Sequence, residues 1–175
     1  GGGILGSMNV RLITAALLLW AAGPALALNL CPRWNDALAG GQARYEVFAS
    51  PYTHHWSYDE EHKQVYTLSL SRRLPDDRFC GLALFNNSFG QPSAYAFAGK
   101  SWPGLLQDWP NVYVSVSAGI IYGYVGRFKD KVPLNVGGFS PAIIPSIGVR
   151  LTDQAALEMQ LLGTAAIMFG ATWRF

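Results

Sequence analysis

In the segment VYTLSLS, residues 65–71, apolar and polar side chains alternate from Tyr66 onward. Tyr66, Leu68 and Leu70 fall on one side of an extended chain, and its Thr and Ser residues fall on the other. A period of two residues is typical of a β-strand with one apolar and one polar face. The same period recurs in residues 112–117 and in the last seven residues, 169–175. The alternation therefore predicts a protein built of β-strands.

Eight segments of this kind follow the first 44 residues. They lie at residues 45–58, 64–73, 79–88, 92–102, 111–124, 141–151, 155–163 and 166–175. Most are near the ~9–11 residues that a strand needs to cross a bilayer. The connections carry Pro, Gly, Asp or Asn, and the last residue, Phe175, ends an alternating segment as in bacterial outer-membrane barrels. We therefore predict an all-β, eight-stranded antiparallel transmembrane β-barrel over residues 45–175.

The composition favours a membrane protein over a soluble one. Only 14% of the 175 residues are charged, against about 25% in an average soluble domain. A soluble β-sandwich or a lipocalin-like barrel would show the same alternation and is the alternative. The formal net charge is only +2, so we expect no nucleic-acid partner. No apolar run of about 18 residues follows residue 30, so we expect no later helix that crosses a membrane.

The residues before the barrel predict an export signal and a short helix. Residues 8–27 have the layout of a secretory signal peptide, with a positive start, an apolar stretch and an Ala-x-Ala site ending at Ala27. A retained membrane anchor is the alternative. Residues 28–44 are expected to hold a periplasmic amphipathic helix, because several apolar residues share one face at helical spacing, namely Trp34, Ala37 and Leu38.

Two polar sets are predicted to meet at one end of the barrel. Strands alternate in direction, and both termini of such barrels usually lie in the periplasm. His54 and His55 then fall at the outer end of the first strand, and Asn87 and Ser88 at the outer end of the third. A serine becomes a nucleophile when a histidine takes its proton, and an amide can stabilise an oxyanion. The alternative is a simple turn sequence beside rim histidines.

Seven short motifs follow one another in a suggestive order along the chain. They are RWNDAL at residues 33–38, YEVF at 45–48, THH at 53–55, YDE at 58–60, LSR at 70–72, FNNSF at 85–89 and PAIIP at 141–145. Together they resemble the lipid A palmitoyltransferase (PagP) family of Gram-negative outer membranes. The resemblance implies a catalytic histidine at His55, with His54 as a rival, and a catalytic pair at residues 87 and 88. Asn87 stands where the family has Asp.

The resemblance also implies a function. The chain would be an outer-membrane acyltransferase that moves a palmitoyl-type chain from a glycerophospholipid to lipid A. His55 would be the general base, Ser88 the hydroxyl that reacts or polarises, and Asn87 an orienting or oxyanion group. In that role we expect Asn87→Asp to be tolerated and Asn87→Ala not to be. Two alternatives remain: an outer-membrane lipid hydrolase of the lipid A deacylase type, and a non-enzymatic structural or adhesion barrel.

The expected partners follow from the same resemblance. They are a phospholipid acyl donor and a lipid A acceptor, and the protein would be a membrane-embedded monomer of the bacterial outer membrane. We expect no cofactor, and we expect no metal because the histidines match no zinc spacing.

Three prolines fall inside predicted strands, at Pro51, Pro141 and Pro145. Proline cannot donate to the strand ladder and is normally excluded from strand interiors. In the resembled family such gaps admit lipid sideways into the barrel, so we assign the three prolines and His54 to substrate binding. For Pro141 the alternative is a proline at the start of a strand.

Two further expectations concern the lumen and the cysteines. An eight-stranded barrel is just wide enough to be filled by side chains or to hold one small ligand. Ala94, Ala96 and Ala98 share one face of the fourth strand and would leave such a space if they point inward, although the alternative is that they face lipid. Cys31 and Cys80 both fall on the periplasmic side and could form a disulfide in an exported protein.

Overall fold

The computed structural model describes residues 44–57 and 59–175. They form a closed antiparallel barrel in which each strand pairs with the next and the last pairs with the first. The strands are β1 Arg44–His55, β2 Thr67–Arg73, β3 Arg78–Asn86, β4 Pro92–Pro103, β5 Val112–Tyr122, β6 Phe139–Arg150, β7 Ala155–Leu162 and β8 Ala166–Arg174. The predicted barrel is confirmed. The predicted signal peptide lies outside the described residues, and so does the predicted helix apart from Arg44, which begins β1.

The connections form two sets at opposite ends of the barrel. We call the end with residues 56–66, 87–91, 123–138 and 163–165 the loop rim, and the end with residues 74–77, 104–111 and 151–154 the turn rim. The loop rim holds the longest connection, which contains a short 3-10 helix at Gly126–Lys131. In residues 44–57 and 59–175, no helix is long and apolar enough to cross a membrane. Because outer-membrane-type barrels place their longer loops outside the cell, the loop rim corresponds to the predicted outer end.

The outer surface between the rims is apolar. The exposed side chains of its middle band include Leu68, Leu84, Ile120, Ile143, Ile147 and Leu157. Exposed aromatic residues border this band on the loop-rim side, at Tyr52, Trp56, Tyr66, Tyr122, Phe139 and Phe169, and on the turn-rim side, at Trp102, Trp109, Trp173 and Phe175. An apolar band between two aromatic girdles is the surface that a bilayer covers.

The alanines of β4 face lipid, so the expectation that they line a ligand space is wrong. Ala96 is exposed on the outer surface, whereas Tyr95 on the opposite face is buried. The Tyr95 hydroxyl lies 3.2 Å from the Ser117 hydroxyl inside the barrel. A tyrosine hydroxyl would find no such partner in hydrocarbon. Because the Tyr95 hydroxyl requires a partner, the face of β4 that carries Tyr95 points inward. Ala94, Ala96 and Ala98 lie on the opposite, outer face.

Buried ion pairs cross the lumen near the turn rim. Glu46 on β1 accepts hydrogen bonds from Arg73 Nε at 2.9 Å and from Arg174 Nε at 2.6 Å. Arg73 also donates to the Ser101 hydroxyl at 2.8 Å. The ion pairs join β1 to β2 and β8, and the hydrogen bond from Arg73 extends this network to β4.

Side chains fill most of the remaining lumen. Tyr113 on β5 donates a hydrogen bond to Glu158 on β7 at 2.7 Å. Its ring passes over Gly148, where an added Cβ would lie 2.2 Å from a Tyr113 ring atom. A cavity in the described part of the lumen has a volume of about 50 Å³, which is room for a few water molecules and far below the roughly 300–1,000 Å³ of small-molecule sites. This cavity is thus too small for a drug-sized ligand.

Cys80 is disulfide-bonded. It lies near the start of β3, at the turn-rim end of that strand. Cys31 is the other cysteine of the sequence, and it lies outside the described residues. The bonded state of Cys80 is consistent with the predicted pairing, which stays a prediction for Cys31.

Candidate functional site

A bulge in β1 sets the orientation of the histidine pair. The register between β1 and β8 shifts between Ala49 and Tyr52. Pro51 lies in the shifted stretch and has no N–H for the ladder. The Ser50 hydroxyl donates to the Phe169 carbonyl at 2.7 Å and so satisfies a backbone oxygen there. Pro51 is therefore accommodated by a bulge, which is where prolines occur within strands.

The two histidines end on opposite faces of the barrel wall. His54 is exposed on the outer face, where its Nδ1 lies 3.4 Å from the Tyr52 hydroxyl and its ring meets Trp56 edge-on. His55 is half-buried and points to the inner side of the loop rim. Only His55 faces the turn that carries Ser88.

His55 and Ser88 are in hydrogen-bond contact. The Nε2 atom of His55 lies 2.8 Å from the Ser88 hydroxyl oxygen. Ser88 belongs to the connection between β3 and β4, so strands one and three do bring the two residues to one rim as predicted. With the lone pair of the imidazole on Nε2, the serine hydroxyl is the donor, and this is the arrangement in which histidine can take its proton.

Asn87 shapes the turn that holds Ser88. Its side chain is completely buried. Its Oδ1 accepts from the backbone N–H groups of Phe89 and Gln91, each at 3.0 Å. Its Nδ2 donates to Gln91 Oε1 and to the Gly123 carbonyl, each at 3.2 Å. These four bonds use the whole capacity of the amide. The role of Asn87 toward His55 or an oxyanion stays a prediction, because the hydrogen bonds of its side chain within the described residues go to Phe89, Gln91 and Gly123.

Tyr124 is a member of the site that the sequence did not single out. It lies beyond the end of β5 and beside the turn that carries Ser88, where its ring meets that of Phe89 edge-on with centroids 6.4 Å apart. Burial raises the pKa of Tyr124, so its hydroxyl stays protonated at neutral pH and can donate. Strand counting could not find it, because the path of residues 123–138 brings it to Ser88.

His62 is the second member that the sequence missed. Its ring lies against that of His55, with centroids 4.4 Å apart and planes 31° apart. Its Nε2 is 3.9 Å from a carboxylate oxygen of Asp59. A hydrogen bond from the backbone N–H of Glu61 lowers the pKa of Asp59, so Asp59 is ionised at neutral pH. Among residues 44–57 and 59–175, no group of three or more His, Cys, Asp or Glu is placed to hold a metal ion.

Two gaps in the strand ladder lie on the loop-rim half of the wall. β7 pairs with β6 only over Ser146–Arg150, so residues 139–145 are paired on the β5 side alone. Pro141 and Pro145 lie in this stretch with exposed side chains. In the same way, β2 pairs with β1 only up to Ser50, and Pro51 begins the part of β1 that pairs only with β8. The assignment of Pro51, His54, Pro141 and Pro145 to substrate binding stays a prediction.

The fold and the surface define an outer-membrane-type β-barrel. A comparison with a designed protein agrees at the level of fold. One similar structure, from "De novo design of transmembrane beta-barrels", is 12% identical with a TM-score of 0.50 over 77% of this chain and 96% of the other. Another is Ail, the attachment invasion locus protein of Yersinia pestis, in complex with the heparin analogue sucrose octasulfate. It is 11% identical with a TM-score of 0.37 over 76% of this chain and 97% of the other. No family model and no curated protein matches the sequence.

Proposed function

We propose that the chain is a bacterial outer-membrane acyltransferase that moves a palmitoyl-type chain from a glycerophospholipid to lipid A. The observation that carries the proposal is the 2.8 Å contact between His55 Nε2 and the Ser88 hydroxyl at the loop rim. The motifs shared with the lipid A palmitoyltransferase family support the choice of substrates.

The dyad can carry acyl transfer in two steps. The Ser88 oxygen attacks the ester carbonyl of the donor while His55 takes the hydroxyl proton. That proton then leaves with the lysophospholipid alkoxide as the ester bond breaks. In the second step His55 takes a proton from a lipid A hydroxyl, whose oxygen attacks the acyl group on Ser88. The bond from the acyl carbon to the Ser88 oxygen then breaks, and that oxygen takes the proton back from His55. Tyr124 lies beside the turn that carries Ser88, and we propose that its protonated hydroxyl donates a hydrogen bond to the negative charge that develops next to Ser88.

The gaps in the wall offer the donor a route from the membrane. The gap between β6 and β7 begins in the lipid-facing band and reaches the loop rim. A palmitoyl chain does not fit a lumenal cavity of about 50 Å³. We therefore propose that the acyl chain lies along this gap during transfer while its ester reaches Ser88 at the rim.

The test is transfer by the purified protein in vesicles that contain a phospholipid with a labelled acyl chain and lipid A. We expect labelled lipid A with the wild type. General acid–base catalysis is worth about 10²–10⁴-fold, so we expect a loss of that order for His55→Ala and at least as great a loss for Ser88→Ala. Both residues are at the rim, so both variants should still fold. Transfer by both variants at the wild-type rate would refute the proposal.

Hydrolysis is the second candidate, and one observation favours it. His55 and Ser88 are both partly exposed, so water can reach an acyl group on Ser88. In the same vesicles a hydrolase would release labelled fatty acid from the phospholipid, or would remove an acyl chain from lipid A. Neither reaction would form labelled lipid A. A non-enzymatic barrel would leave every lipid species unchanged.

A further inference from the structure

We infer that His62 is a positioning residue for His55, which rests on the proposed function. Its ring packs against the His55 imidazole and keeps Nε2 directed at the Ser88 hydroxyl. A base that activates a nucleophile is usually oriented in turn by a third group. The sequence suggested Asn87 for that task, but the four hydrogen bonds of the Asn87 side chain go elsewhere.

The backbone alone does not hold His55 from both sides. It is the last residue of β1, in the stretch that pairs with β8 and not with β2. The side that β2 leaves open is the side from which the connection of residues 56–66 returns. His62 belongs to that connection, and its ring lies 4.4 Å from that of His55. It therefore supplies packing at a place where the strand ladder gives none.

His62 is itself fixed relative to Ser88. The backbone N–H of Lys63, the next residue, donates to the Ser88 carbonyl at 2.7 Å. The backbone N–H of His62 donates to the Asp59 carbonyl at 3.0 Å. The His62 ring also meets Phe89 edge-on, with centroids 5.5 Å apart. The residue that packs on His55 and the turn that carries Ser88 thus form one connected unit.

The contribution of His62 comes from its flat ring. Its Nδ1 is buried and has no hydrogen-bond partner in the described part of the chain. Its Nε2 faces the Asp59 carboxylate, which also lies 3.8 Å from the Lys131 ammonium. Neither nitrogen is bonded to His55, so a phenylalanine of similar shape should replace His62, and a small side chain should not.

The test uses Ser88 itself as the reporter, in the full-length protein folded in detergent. A fluorophosphonate forms a bond from phosphorus to the Ser88 oxygen and releases fluoride, while His55 takes the hydroxyl proton. Misplacement of a catalytic group by about 1 Å can cost 10²-fold, so His62→Ala should label about 10- to 100-fold more slowly. His62→Phe should label within about threefold of the wild type, given the retained ring. Ser88→Ala gives the background labelling without the nucleophile. Glu60→Gln, an exposed change in the same connection, is the control and should label at the wild-type rate.

Three results would overturn the inference. They are wild-type labelling by His62→Ala, an equal loss in His62→Phe and His62→Ala, and no labelling of Ser88 in the wild type. The heat-dependent mobility of each folded barrel in detergent gels separates loss of fold from loss of positioning. Because no lipid A is present, the labelling result stands even if transfer to lipid A is disproved.

Discussion

At the scale of single residues, two neighbours in the turn of residues 87–91 have different roles. Ser88 presents its hydroxyl to His55, and Asn87 holds the turn together from inside. The sequence could place both residues at the rim because strand counting needs only the number and direction of strands. It could not assign their tasks, because the partners of Asn87 include the Gly123 carbonyl, 36 residues away.

The contacts of Asn87 change what its substitution should do. A carboxylate at this position would lose both donors and face the Gly123 carbonyl and the Gln91 side-chain oxygen. Each buried group left without a partner costs about 1–3 kcal/mol. We therefore expect Asn87→Asp to disturb the turn and to lower acyl transfer at least tenfold, on the order of that cost, although the motif comparison suggested tolerance.

The measurement for this variant is the transfer rate in vesicles together with the thermal midpoint of the barrel. Asn111→Asp, an exposed change at the turn rim, is the matched control and should behave like the wild type. Transfer by Asn87→Asp at the wild-type rate would show that the amide donors are dispensable.

At the scale of elements, alternation predicted the strands well because a closed barrel imposes a period of two on both faces. It could not decide which face of β4 is inward, since small residues suit either side and only the hydroxyl partners of Tyr95 decide. The alternation could not predict the irregular elements. The bulge in β1 and the path of residues 56–66 depend on contacts between distant segments, and these bring His55 and His62 together.

The ion pairs of the lumen should stabilise the junction of β1 and β8. Glu46→Ala would leave Arg73 and Arg174 without their common buried carboxylate. Breaking a buried pair by removing one partner costs about 3–5 kcal/mol. Glu61→Ala removes an exposed pair with Arg127, which is worth about 0–1 kcal/mol. Denaturant titration of the two variants should show this contrast in the free energy of unfolding, and equal losses would refute the stabilising role of Glu46.

The prolines of β6 should matter for transfer more than for folding. Alanine at Pro141 and Pro145 would restore two N–H groups and let β6 pair further with β7, which narrows the gap. We expect the double variant to fold and to transfer acyl chains several-fold more slowly from a bilayer. Pro75→Ala, in the exposed connection at the turn rim, is the control. An unchanged rate in the double variant would remove the gap from the proposed route.

At the scale of the whole molecule, the barrel separates stability from chemistry. The strand ladder satisfies most of the backbone in lipid, and hydrogen bonds inside the lumen join the strands near the turn rim. His55, Ser88 and Tyr124 lie at the other end, where changes to them should leave the ladder intact. For this reason the sequence could predict the barrel from its periodicity. It could not predict the whole site, because the paths of the connections at the loop rim bring Tyr124 and His62 to it.

The most direct test of the proposed acyl transfer is mass spectrometry of lipid A from cells that carry the wild type, Ser88→Ala or no copy of the protein. We expect lipid A with one additional acyl chain in the wild-type cells alone, and as much folded barrel in the Ser88→Ala cells as in the wild-type cells. An additional chain in the Ser88→Ala cells, or identical lipid A in all three, would contradict it.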